Sequence, residues 1–137
     1  MITVAAAAMV VVSLPLLSLK SAAPSDPLPL GAATMLEATH RGSRVFCEDL
    51  AWCSVFLGDR STRVFMDGRC DPYPLPVWRD YIAVIGGNPV WSAVLDRWRV
   101  DAILVRPAGA LDALLIAEPD EWAYVGSDRR ARVYVRR

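Results

Sequence analysis

One histidine, one lysine and three cysteines are all that this chain of 137 residues offers of those three versatile side chains. A structural zinc site would have to be drawn from Cys47, Cys53, Cys70 and His40, which are scattered and contain no C-x-x-C pair. No G-x-S-x-G elbow is present, and a lone histidine far from any such serine argues against nucleophilic catalysis. Neither G-x-G-x-x-G nor G-x-x-x-x-G-K-[ST] occurs, so nothing supports a nucleotide-phosphate cradle. Net charge is also missing: 15 basic residues balance 15 acidic ones, which removes the global case for nucleic acid as a partner. No metal and no cofactor is expected. The cysteines are too few for a disulfide scaffold, and three buried thiols are the favoured reading. If a bridge forms, Cys47 and Cys70 are the pair that two adjacent strands would bring together.

What the chain has in excess is apolar residues at its start. From Met1 to Leu19 only Thr3, Ser13, Pro15 and Ser18 are not apolar, and no charge precedes Lys20. As a helix this run would be about 28 Å long, close to the roughly 30 Å hydrocarbon core of a bilayer. A transmembrane helix over residues 1–19 is therefore expected. A cleaved signal peptide is the rival, with Ser21-Ala22-Ala23 as small residues for processing, but the start carries no positive charge and the run is long for one. Residues 20–30 hold three prolines and read as a linker. Charge leaves the orientation undetermined, since Lys20 has no opposing flank to compare.

Residues 31–137 read as one α/β domain. A short helix from Gly31 ends near Arg41-Gly42, with His40 as a structural residue in its last turn. Arg44 to Cys47 is a strand, Leu50 to Leu57 a short helix capped by Asp49, and Arg63 to Asp67 a second strand. Helices are expected from Val77 to Ile85 and from Val90 to Trp98, where aromatic and aliphatic residues recur at helical spacing. Asp101 to Val105 is apolar at consecutive positions and therefore central, covered on both faces. A helix from Gly109 to Ala117 follows. Trp122 to Val125 and Ala131 to Val135 then form a hairpin. The expected fold is a small three-layer-like domain with a mixed, mainly parallel sheet that ends in an antiparallel hairpin. On the last strand Arg132 and Arg136 share the face opposite Val133 and Val135, a solvated face or one that meets anionic lipid headgroups.

The densest polar constellation is Asp67, Arg69, Asp71 and Tyr73, directly after a short apolar run. Open α/β sheets bind ligands just beyond the carboxyl ends of their strands, and Glu48 and Asp49 follow the first strand in the same way. If the two strands are neighbours, these carboxylates share one rim with Arg69. They can then hold a cation or act as an acid/base pair, while Arg69 clamps a phosphate or carboxylate. The plainer reading is that Asp67 and Asp71 cap turns and pair with Arg69 to hold the loop on the sheet.

Several pieces together suggest a family: Arg44-Val45-Phe46 followed by Trp52; Val64-Phe65-Met66-Asp67-Gly68-Arg69 with Asp71 and Tyr73; Leu95-Asp96-Arg97 leading into Val100 to Val105; Trp122 to Val125 with Asp128; and Ala131 to Arg136. In this order they resemble the C-terminal extramembrane domain of bacterial polytopic membrane proteins described as glycosyltransferase-like or mannosyltransferase-like, with the C-type fold. The resemblance covers roughly residues 31–137. It implies that Met1 to Leu19 is the last membrane helix of a longer protein and that the domain lies on the extracytoplasmic side. It also implies a lipid-phosphate sugar donor, with the catalytic carboxylate in an early loop that this chain does not contain. Membrane lipid, a lipid-linked sugar or glycan, and other membrane helices are the partners so implied. A small stand-alone enzyme using Asp67 and Asp71 and a structural or assembly domain with no ligand are the alternatives.

Overall fold

The structure is a computed structural model that describes residues 28–58, 60–69 and 72–137. The expected membrane helix over 1–19, the linker as far as residue 27, and Cys70 and Asp71 lie outside the described residues. Among those described, no helix is long and apolar enough to cross a membrane.

Helix α1 (Leu30–Thr39) leads through Gly42, which takes the left-handed φ of 81° that only glycine adopts freely, into strand β1 (Arg44–Cys47). Leu50–Phe56 is helical but wound as a 3₁₀ helix, and the Asp49 carboxylate accepts the Ala51 amide at its start. Strand β2 (Arg63–Val64) is shorter than the sequence predicts. The Phe65 amide still donates to Val45, but the chain then turns away, because Asp67 and the residues after it bond within their own loop. Helices α2 (Leu75–Ile85) and α3 (Trp91–Arg97) precede β3 (Ala102–Val105), and α4 (Ala110–Ala117) precedes the hairpin of β4 (Trp122–Ser127) and β5 (Arg132–Arg136).

The five strands lie in the order β2-β1-β3-β5-β4. β1 is parallel to both β2 and β3, while β5 is antiparallel to both of its neighbours. The sheet is thus mixed as expected, but its ladders divide evenly between parallel and antiparallel, because the hairpin supplies two of them. Four strands still point the same way, with β5 alone reversed, so the carboxyl ends of β1, β2, β3 and β4 share one rim.

Two apolar layers sandwich the sheet. Phe46, Ile103, Val105 and Tyr134 face Val77, Tyr81, Val84, Val94, Leu95, Leu111 and Leu115 of α2, α3 and α4. On the other face Val45, Cys47, Leu104, Val133 and Val135 meet Ala32, Ala33 and Leu36 of α1 and Trp52, Cys53 and Phe56 of the 3₁₀ helix. All four residues of β3 are buried, as a central strand covered on both faces requires. The glycine in β4, Gly126, leaves room for α1: a Cβ there would lie 2.7 Å from Met35 Sδ.

The cysteines correct the sequence expectation. Cys47 pairs with Cys53, not with Cys70, and their Cα atoms lie 5.8 Å apart. The 3₁₀ helix folds back over the face of β1 to which Cys47 points, which brings Cys53 onto it. That return could not be read from spacing. The hairpin arginines also differ from expectation, because α4 and its flanking loops cover their face. Arg132 reaches the buried Asp112, and Arg136 lies over the Trp122 ring at 4.5 Å and pairs with Asp96.

Candidate functional site

The adjacency of β1 and β2 places Glu48, Asp49, Asp67, Arg69 and Tyr73 at the carboxyl rim, as the sequence predicts, but the hydrogen bonds divide them into two clusters. In the first, Asp67 is wholly buried while the Arg69 side chain is 70% exposed. Asp67 Oδ1 accepts the Arg69 amide at 2.9 Å and Arg69 Nε at 3.1 Å, and Oδ2 accepts Nε at 3.0 Å and Nη2 at 2.7 Å. The Asp67 amide in turn donates to the Tyr73 hydroxyl at 3.2 Å. Hydrogen bonding from the Arg69 side chain holds the Asp67 carboxyl below the usual carboxylate range in spite of burial, and the same contact raises the Arg69 guanidinium. Both oxygens of Asp67 are thus engaged by one residue. The carboxylate anchors a guanidinium that remains open to solvent, and it is poorly suited to shuttle a proton.

The second cluster surrounds the start of the loop after β3. Glu48 Oε2 accepts the Arg106 amide, and Asp49 Oδ2 accepts Arg106 Nη2 at 2.6 Å. The Arg106 guanidinium carbon also lies 5.5 Å from the centre of the Trp52 ring. Gly109 lets the loop pack closely here: a Cβ would sit 3.3 Å from Glu48 Oε1 and 3.2 Å from the Arg106 carbonyl, and both would have to give by a few tenths of an ångström. Behind the loop the Tyr81 hydroxyl donates to the Glu48 carbonyl at 2.6 Å, and burial, with the Asp49 charge, raises that phenol to about 12. Glu48 and Asp49 are thus committed to joining β1 to the β3–α4 loop. Among the described residues no three histidine, cysteine, aspartate or glutamate side chains converge as a metal site would require. Asp71, the remaining candidate, lies outside the described residues.

A third polar centre escaped the sequence reading. Asp112, in the first turn of α4, is 1% exposed and accepts the Tyr134 hydroxyl at 2.8 Å, Arg132 Nη1 at 2.9 Å and the Ala108 amide at 2.7 Å. Burial, reinforced by the hydrogen bond to Asp112, raises the Tyr134 phenol to about 12. The one sequence signal was on β5, where Arg132 and Tyr134 put polar tips on a face that α4 must cover. Next to this centre Ile116, Pro119, Trp122, Tyr124, Arg132 and Arg137 help line an open cleft of about 580 Å³.

The carboxyl rim is also where the chain leads back toward its N-terminus. Asp128, just past β4, accepts the Ala32 amide at 2.9 Å through Oδ2 and the Arg130 and Ala131 amides at 2.8 and 2.9 Å through Oδ1. Burial pushes this carboxyl up, but the amides of Ala32, Ala131, Arg130 and Gly31 outweigh it and hold it below the usual range. The start of α1 is thereby fastened to the rim. Comparison with known protein families, with characterised proteins and with solved structures finds no match for this chain.

Proposed function

We propose that this chain is a membrane-anchored accessory or binding domain, the C-terminal part of a glycosyltransferase-like membrane protein that uses lipid-phosphate sugar donors. Its role is to present Arg69 to the phosphate of such a lipid. One observation carries the reading: a buried aspartate holds an exposed guanidinium at the same end of the sheet from which α1 leads back to the apolar N-terminus. A guanidinium fixed by its own carboxylate loses little freedom when it binds a second anion, and it suits phosphate better than a mobile lysine. The Cys47–Cys53 bridge favours an extracytoplasmic position, because disulfides persist in oxidising compartments. Asp67, Glu48 and Asp49 organise the rim on this reading and catalyse nothing.

The test is titration of the whole chain, kept in detergent, with a polyprenyl phosphate, followed by the amide NMR signals of Ala51, Gly68 and Arg69. Those signals should move, and Arg69→Gln should abolish the movement; the variant melts lower, because the buried Asp67 loses its partner, but remains folded by circular dichroism at the titration temperature. If they stay still, or if R69Q responds like the parent, the rim does not bind lipid phosphate. A domain whose Asp67–Arg69 pair only braces the loop then takes its place.

A further inference from the structure

We propose a second site, at the opposite end of the sheet, for a water-soluble phosphate monoester with a flat apolar body. Arg44 and Arg63 open β1 and β2 and are register partners, so they stand side by side on adjacent strands about 4.8 Å apart. Each is followed two residues later by a phenylalanine of the same core layer, Phe46 and Phe65, so both side chains leave from that face. Like charges set side by side weaken a sheet unless something between them compensates. Arg99 joins them: it is the left-handed residue, φ 51°, that closes α3, where the Val100 amide returns to the Leu95 carbonyl, and it lines the same hollow as Gly42.

The acid in the hollow is Asp101, which accepts the Arg44 amide at 3.0 Å, and among the described residues it forms no ion pair with any of the three arginines. Arg44 is oriented by donating Nη1 to the Trp98 carbonyl at 2.7 Å. Among the described residues that line the hollow, three guanidinium groups against one carboxylate leave an excess of two positive charges. A phosphate monoester carries about −1.5 to −2 at neutral pH and would cancel that excess, whereas a single carboxylate would leave half of it. The space has two parts that share Arg44 and Arg63: a polar hollow of about 300 Å³ with Ser61, Arg99 and Asp101, and an adjoining one of about 250 Å³ with Val64, Phe65 and Trp98. The second part is sized for one ring and is too small for a pair of acyl chains. This is why a soluble ester fits better than a phospholipid headgroup.

Phenyl phosphate, inorganic phosphate and vesicles of phosphatidic acid in phosphatidylcholine separate the alternatives, each titrated into the whole chain. Phenyl phosphate should shift the amides of Gly42, Val64 and Phe65 and bind more tightly than inorganic phosphate. Arg63→Gln and Arg99→Asn should each weaken it by at least about tenfold, the loss expected for one charge-assisted hydrogen bond. Both positions are exposed, so the fold should survive, and either variant alone suffices if the other is unstable. Unmoved amides would overturn the site, and so would unchanged binding in the folded variants. Binding to the vesicles but not to phenyl phosphate would overturn the soluble ligand.

Discussion

Asp112→Ala should be among the more damaging single changes in this domain, although nothing in the sequence marks that residue. The substitution strands the Tyr134 hydroxyl in the core and releases the Ala108 amide at the start of α4, both of which now donate to the carboxylate. A buried donor left without an acceptor costs about 1–3 kcal/mol, and loss of an acid in a helix's first turn adds roughly 0.3–1 kcal/mol. The stranded Tyr134 hydroxyl and the lost first-turn acid together give about 3 kcal/mol; Ala108 is exposed, so its amide turns to water, and the partly exposed Arg132 adds no figure of its own. For a domain of this size the midpoint of thermal unfolding should fall by on the order of 15 °C. Urea denaturation should show a lower midpoint at an unchanged slope. Tyr134→Phe removes one donor and should cost about 1 kcal/mol. The double variant should cost about 1–2 kcal/mol less than the two singles combined, because the stranded hydroxyl is gone. A loss below about 1 kcal/mol for D112A, or strict additivity in the cycle, would show that Asp112 does not hold Tyr134 in place.

Titration should destabilise the fold at both extremes of pH. Asp67, Asp128 and Asp80 are held below the ordinary carboxylate range, the last against burial by hydrogen bonds from Trp98 Nε1 and Arg97 Nη2, so their stabilisation is complete above the unfolded pKa near 4 and is lost as pH falls through the folded values. Tyr81 and Tyr134 are raised to about 12, so what they contribute is complete below the unfolded pKa of about 10 and is lost as pH rises toward 12. Denaturation measured from pH 2 to 12 checks both limbs, and a flat profile below pH 4 would contradict the carboxylate assignments. Reduction of the Cys47–Cys53 bridge releases a loop of sequence separation 6 and should cost about 2 kcal/mol, read from urea midpoints with and without reductant. Peptide mapping after alkylation without reductant should find Cys47 and Cys53 joined, and a Cys47–Cys70 peptide would refute the pairing.

The local pattern was enough to set the elements. Consecutive apolar residues marked β3 as central because a strand covered on both faces has no solvent side to make polar, and alternation marked β5 because one residue in two must face each layer. Asp49 and Gly42 fixed a helix start and a left-handed turn through backbone chemistry that operates within a few residues. The grouping of Glu48, Asp49, Asp67 and Arg69 at one rim followed from two strands ending in the same direction. The pairing of Asp67 with Arg69, two residues away, is local and was legible in the same way. Which base met Glu48 and Asp49 was not: they were taken by Arg106, far along the chain, because β3 lies beside β1. The same holds for Cys47 with Cys53, for Asp112 with Tyr134 and Arg132, and for Arg44 beside Arg63. The sequence by itself determined the periodicities, caps and turns, which are short-range consequences of sterics and apolar burial. Only the tertiary structure decided the pairings of charge, thiol and hydroxyl between separate elements, since a polar group takes whichever partner the packed layers deliver within about 3 Å, and that depends on the whole fold.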